Sequence, residues 1–340
     1  MVIGKVVSSF PGVMYGPLYY RELESDKSLA AKTNKGNFNA SMIISLEAKI
    51  ELKWWVDNVE CSFNVLAHVQ PQYQITTNAS LSGWGAVSGD VSTGGSWTYT
   101  ESTRHINYLE MYAILLGLQT FGTGKNDTHI RVMCDNMTTV MVLNHMGTSH
   151  SNCCNYMTKK IWEWCIERGI WLSIANIPGK QNFIADFESR RNQRESEWML
   201  DKTSVLNALM ELNVTPDIDL FASRISHQFT QYVAYKPDPN AFAIDAFSLD
   251  WSKLNLYAFP PFSVIPSVLR KITAEQATGV IVVPDWPTQS WHPKVQQMLV
   301  KEPVLLEARK DLLKLPSHPS EVHPLWHKLN LLVCILSGKD

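Results

Sequence analysis

The chain has 340 residues, a net charge of −2 and a pI of about 6.6. That length accommodates two or three domains, and the near-neutral charge excludes a bulk basic field, so any nucleic-acid contact must come from a local patch. Hydrophobic residues at 45%, with twelve Trp among them, exclude a chain that is disordered throughout.

The start, MVIGKVVSSFPGVMYG, lacks the apolar core of a signal peptide, and no apolar run reaches the length of about 18 residues that spans a bilayer. The expectation is an intracellular chain, nuclear or cytoplasmic, with no membrane partner. Residues 1–64 read as a helical appendage. Within it, SLEAKIELKWWVDNV sets Leu46, Ile50, Leu52, Trp55 and Val59 broadly on one helix face, and Ser45 is placed to cap it. Such a piece cannot build its own core and should pack on its neighbour.

Residues 70–191 alternate. Gln72–Thr77, Trp84–Ser88 and Ser96–Tyr99 read as strands, punctuated by Gly83, Gly85, Gly89, Gly94 and Gly95. A helix, INYLEMYAILLGLQTFG, follows and ends at Gly122. HIRVMC is a buried strand, MTTVMVLNHMG and NYMTKKIWEWCIERG are helices, and WLSIANI is a strand. After the loop PGKQN a last helix opens near Phe183. The order β-β-β-α-β-α-α-β-α predicts a mixed sheet covered by helices.

Residues 192–204, with NQRESEWML, read as a polar linker. Residues 205–340 carry a second α/β pattern, with PDIDLFAS and GVIVVPDW as buried strands. Between them lie the loop YAFPPF and the helix SVIPSVLRKITAEQ. The six cysteines, Cys61, Cys134, Cys153, Cys154, Cys165 and Cys334, form no CxxC and have no His at zinc-finger spacing. They read as small apolar residues of a reducing compartment.

Carboxylates at element ends carry the chemistry of the middle block. Glu110 sits inside an apolar helix among Leu109, Met111, Tyr112 and Ile114, where a carboxylate needs a partner. Asp135 follows HIRVMC directly, at the sheet edge where open α/β folds place ligands. Asp186 lies at the opening of the last helix. The two aspartates have simpler readings: Asp135 as the N-cap of MTTVMVLNHMG, Asp186 as a first-turn acid facing the helix dipole. Together, with Asn78 at the end of the first strand as a fourth corner, they suit a hard divalent cation, Mg²⁺ or Mn²⁺.

TTNASLSGWGA, INYLEMYAILLGLQTF, IRVMCDN and IPGKQNFIADFESR together resemble the ribonuclease H domain of DIRS-type (tyrosine-recombinase) retrotransposon polyproteins. The flanks are similar to the same polyproteins. LYYRELESDK and SLEAKIELKWW resemble a reverse transcriptase tail and its connection. PDIDLFASR, AFSLDWSKLNLYAFPPFSVIP and VVPDWPTQSWHP resemble the region that follows, related in turn to adenine methyltransferases. No YxDD-type polymerase pair occurs.

The resemblance implies a ribonuclease H-like fold: a mixed five-stranded sheet with helices on both faces, followed by a second, smaller α/β domain. It implies hydrolysis of RNA in an RNA–DNA hybrid by Asp-Glu-Asp-Asp ligands and two metal ions. The set falls on Asn78, Glu110, Asp135 and Asp186, so the first ligand is an amide. A His common in the family falls on Asn176, also an amide. An amide in place of a carboxylate removes one charge from the site. Losing about 3–5 kcal/mol of transition-state stabilisation means roughly 10²–10⁴ in rate. The expectation is therefore an impaired nuclease holding Mg²⁺ or Mn²⁺ weakly, or else an inactive module that still binds nucleic acid and the rest of its polyprotein.

Asn136, Thr138, Thr139, Lys180 and Arg190 are candidate phosphate contacts, against a reading as solvated surface. In the last block, Phe259, Pro260, Pro261 and Phe262 resemble the (D/N)PP(Y/F) loop of adenine methyltransferases, against a preferred reading as a Pro-rich turn that closes a strand. Phe259 has no acceptor for an amine, so neither methyl transfer nor S-adenosylmethionine binding is expected. Asp219, Asp245 and Asp250 are then structural acids or remnants of a cofactor site.

Overall fold

The computed structural model describes residues 2–37, 39–191 and 197–339. The chain forms two compact units, one of residues 1–80, 84–92 and 104–187, the other of 81–83, 93–103 and 188–340. The second draws in two short segments from inside the 70–191 block, which no linear boundary anticipates. No helix among the described residues is long and apolar enough to cross a membrane.

The first unit opens with helices α1 (Val2–Ser8), α2 (Arg21–Thr33) and α3 (Leu46–Asn58). Ser45 caps α3 as expected, its side chain accepting from the Ala48 amide. Of the face expected, Trp55 is buried and Leu52 half-buried, while Leu46, Ile50 and Val59 are exposed and Ala48 and Glu51 are inside instead. The reason is polar. The Glu51 carboxylate accepts from the Glu22 amide at 3.0 Å and the Leu23 amide at 3.1 Å, satisfying the N-terminus of α2. The Trp55 indole donates to the Tyr19 carbonyl at 2.8 Å.

The sheet of this unit is built from β1 (Tyr73–Ala79), β2 (Gly83–Ser88), β3 (Val91–Ser96), β4 (His129–Cys134) and β5 (Trp171–Asn176), in the order β3-β2-β1-β4-β5. β1 pairs antiparallel with β2 and parallel with β4, and β4 pairs parallel with β5. This is the mixed five-stranded arrangement of a ribonuclease H-like fold. The third strand lies five residues earlier than the Ser96–Tyr99 expected. Tyr99 instead begins a short helix, α4 (Tyr99–Ser102), fixed by a capping box between Thr98 and Glu101. Helices α5 (Ile106–Phe121), α6 (Met137–Asn144), α7 (Asn152–Ile166) and α8 (Phe183–Arg190) complete the expected order. The appendage packs on this unit, with the Tyr15 ring 6.0 Å from that of Trp162 in α7.

The expected linker, 192–204, is described only from residue 197 on, and there it is structured. Residues 192–196 lie outside the described residues, but Leu200 is fully buried in β6 (Met199–Leu200), and α9 (Lys202–Leu212) starts inside the expected linker. The sheet of the second unit has seven strands, against five in the first. They are β7 (Ile218–Asp219), β8 (Gln231–Ala234), β9 (Ala243–Ile244), β10 (Leu256–Ala258), β11 (Thr278–Pro284), β12 (Val304–Leu306) and, past the short β13 (Leu313–Lys314), β14 (Leu331–Ser337). Their order is β12-β14-β11-β10-β7-β8-β9. β7 to β11 run parallel, and β14 is antiparallel to both its neighbours. Of the two expected strands here, PDIDLFAS contributes only Ile218–Asp219, while YAFPPF supplies the end of β10 and then the Pro-rich turn that closes it. Helix α10 (Ile265–Ala274) buries Ile265, Val268, Leu269 and Ile272, one face at helical spacing.

Burial raises the Glu51 carboxyl to about 7 from its ordinary 4.5, outweighing the two amides that stabilise its charged form. Between those pH values the unfolded chain releases this proton and the folded one keeps it, so stability falls as pH rises through the window. Denaturant titrations at pH 5 and pH 7.5 should show the parent losing roughly 1–3 kcal/mol more than Glu51→Gln over that interval.

Candidate active site

β1 and β4 lie side by side at the centre of the first sheet, and their C-terminal ends carry Asn78 and Asp135. Helix α5 lies against β1 because nearly all of it is apolar: Leu109, Met111, Ala113, Ile114 and Leu118 are fully buried. Gly117 permits the approach, since a Cβ there would meet the Thr77 methyl at 3.0 Å. Glu110, only 4% exposed, is thereby pressed onto the sheet edge, where its Oε2 accepts from the Ala79 amide at 3.2 Å.

Ligand atoms of Glu110, Asp135 and Cys134 lie within 4.8 Å of one another. Cys134 is a residue that sequence reasoning missed. Its alternating, apolar strand gives no hint that its sulfur turns toward two carboxylates, 3.9 Å from Glu110 Oε2. Asp186 stands in the first turn of α8, and its Oδ1 accepts from the Asn78 amide nitrogen at 2.9 Å. Asn182, also missed, is 1% exposed and donates to the Thr77 carbonyl at 3.1 Å and to Asn78 Oδ1 at 3.5 Å. Both neighbours fix the orientation of Asn78: its oxygen faces a donor and its nitrogen faces a carboxylate.

The electrostatics follow. Burial first, then the Asp135 charge, raise the Glu110 carboxyl to about 8, with Asp186 adding to the rise and the Ala79 amide opposing it. The same burial pushes the Cys134 thiol far up, so it is a neutral sulfur. The oxygens of Glu110 and Asp135 suit one hard cation. The corner between Asn78 and Asp186 suits a second one poorly, because an N–H already occupies the Asp186 oxygen there.

The simpler reading of Asp135 fails: Asn136 caps α6, accepting from the Thr139 amide at 3.0 Å while donating to Asn107 at 3.0 Å. Asn136 is therefore engaged structurally. Thr139 is fully buried, so it is withdrawn as a phosphate contact, whereas Thr138 and Lys180 are exposed. Arg190 is exposed and belongs to the second unit. Asn176 donates to the carbonyls of Cys134 and Asp135 at 3.3 and 3.4 Å, tying β5 to β4 at the site.

In the second unit, Phe259 and Phe262 are half-buried after β10, and Phe262 packs edge-on against Trp286 at 5.2 Å. Pro260 is buried and Pro261 exposed. Asp245 and Asp250 cap short turns, accepting from Phe247 and Ser252. Asp219 is buried and accepts from the amides of Phe221 and Gln228 at 3.3 and 3.0 Å, while burial raises it to about 7.

The structure is similar to the crystal structure of RNase H1 from the halophilic archaeon Halobacterium salinarum NRC-1, at 17% identity over 34% of this chain and 91% of that chain, with a TM-score of 0.28. It is similar to the same extent, at 21% identity, to the crystal structure of LC11-RNase H1 in complex with an RNA/DNA hybrid, again over 34% and 91% with a TM-score of 0.28. No protein-family model and no curated protein matches the sequence.

Because Glu110 is held in a buried, repelling position, Glu110→Gln should raise the melting temperature at pH 9 in EDTA. The same variant should lose any upward melting shift that Mn²⁺ produces in the parent, as checked by calorimetry with and without the ion.

Proposed function

We propose that the first unit is a ribonuclease H-type phosphodiesterase site for RNA in RNA–DNA hybrids, weakened by Asn78. The observation that carries this reading is the convergence of Glu110 and Asp135 to within 4.8 Å at the C-terminal edge of β1 and β4, with Asp186 hydrogen-bonded to Asn78 beside them. The donors fit Mg²⁺ or Mn²⁺ at the Glu110–Asp135 corner, with Asp186 as the third acid. When bound, such an ion supplies Lewis acidity and a water of lowered pKa.

The chain's own residues do the rest. The Ala79 amide fixes one Glu110 oxygen and leaves the other for a ligand. Asn182 locks the strand end that presents Asn78, and Asn78 in turn holds Asp186. The exposure of Thr138 on the first turn of α6 and of Lys180 before α8 supports their role as contacts for substrate phosphates.

The same hydrogen bond favours a second reading, a module that binds hybrid without turnover. The amide proton does for Asp186 part of what a cation would, so the site stays folded with fewer ions. In either reading the chain is the back part of a DIRS-type retrotransposon polyprotein or a gene derived from one, on the strength of the motifs quoted above. Its second unit is then a methyltransferase relative that transfers nothing, because Phe259 offers no acceptor.

Cleavage of a labelled RNA–DNA hybrid with Mg²⁺ or Mn²⁺ separates the readings. Weak cleavage by the parent and a gain of roughly 10²–10⁴ in Asn78→Asp is expected of the nuclease. Salt-dependent hybrid binding with no cleavage in either protein would leave the binding module, and no binding at low salt would remove both.

A further inference from the structure

The second unit contains a cleft of about 340 Å³ whose lining includes Lys202, Arg224, His227, Phe229, Tyr232 and Asn240. Lys202 is the first residue of α9, directly after its cap Asp201, and is exposed; its ammonium makes no ion pair among the described residues. The Arg224 guanidinium is held rigidly by Glu101 at 2.7 and 3.0 Å and by the Ser96 carbonyl at 3.1 Å. The His227 ring packs on Tyr232 at 4.9 Å, and its Nδ1 is buried with no hydrogen-bond partner.

The acids near this cleft are already engaged. Glu101 is bound to Arg224. Asp238 accepts from the Arg224 amide at 2.9 Å and the Tyr232 hydroxyl at 3.3 Å, and Asp219 accepts from Gln228 and Phe221. Lys202 is left at the cleft as a positive group with no ion pair among the described residues. The His227 ring lines the same cleft; burial first, then the nearby Lys202 and Arg224 charges, lower its pKa, and a bound anion would offset both charges. The volume lies at the lower end of small-molecule sites, and the half-buried Phe229 adds an apolar wall.

We propose that this cleft binds the phosphate group of a nucleotide-sized ligand, with Lys202 and His227 as its principal contacts. A rigid Arg224 sets the field, and the aromatic wall accommodates the organic part. A free mononucleotide and the phosphorylated end of a short strand present the same chemistry.

The test follows histidine ring resonances by NMR as inorganic phosphate, AMP, adenosine or a 5′-phosphorylated dinucleotide is added, with His227→Gln identifying the relevant signal among the ten histidines. Phosphate and AMP should shift the His227 signal saturably, AMP at lower concentration, and adenosine should not. Exposed Lys202→Ala should fold normally and bind AMP about 10-fold more weakly or worse. Absence of a saturable His227 shift with both phosphate and AMP, or unchanged affinity in Lys202→Ala, overturns the proposal. Equal affinity for phosphate and AMP overturns its nucleotide-sized part. Whether the dinucleotide binds more tightly than AMP decides which source the cleft prefers.

Discussion

The first unit depends on keeping one carboxylate, Glu110, inside an apolar helix–sheet interface. Burial and the facing Asp135 both oppose its charge, with the Ala79 amide and the Cys134 thiol opposing them in turn. A fourth carboxylate at position 78 would add to this repulsion. An amide there removes a negative charge and adds a donor for Asp186. The amide at position 78 therefore steadies the fold without ions.

Much of this was legible in the sequence because the deciding signals are local. A helix as apolar as Ile106–Phe121, holding one Glu, can only be a buried helix with a carboxylate in need of a partner. HIRVMC followed by Asp places an acid at a strand end whichever sheet it joins. The missed features depend on contacts the sequence does not encode locally. Val91–Ser96 is polar and Gly-rich, so the strand gives a weaker pattern than the Trp97–Tyr99 run beside it, which a capping box diverts into a turn. Thr139 looks like a surface hydroxyl in the sequence, but in α6, where its amide donates to the Asn136 cap, it is fully buried. Cys134 and Asn182 join the site only through the packing of distant elements.

The second unit shows the same division more sharply. Strands of two to four residues, such as β7, β8 and β9, carry too few side chains for alternation to show. Their pairing is instead fixed by neighbours: β10 has β7 on one side and β11 on the other. The cleft is assembled from Lys202, the 224–230 loop and Asn240, segments with nothing in common except where the chain brings them.

The close contact at Gly117 has a reach beyond its own position. It lies seven residues beyond Glu110, two helical turns along the same stripe, and its hydrogen is what lets that stripe touch Thr77, Ala86 and Ile75. A methyl group there would press on the Thr77 methyl, which would have to yield by a few tenths of an ångström beside the strand end that carries Asn78. The fit of the helix that bears the buried acid thus turns on a position that carries no side chain of its own.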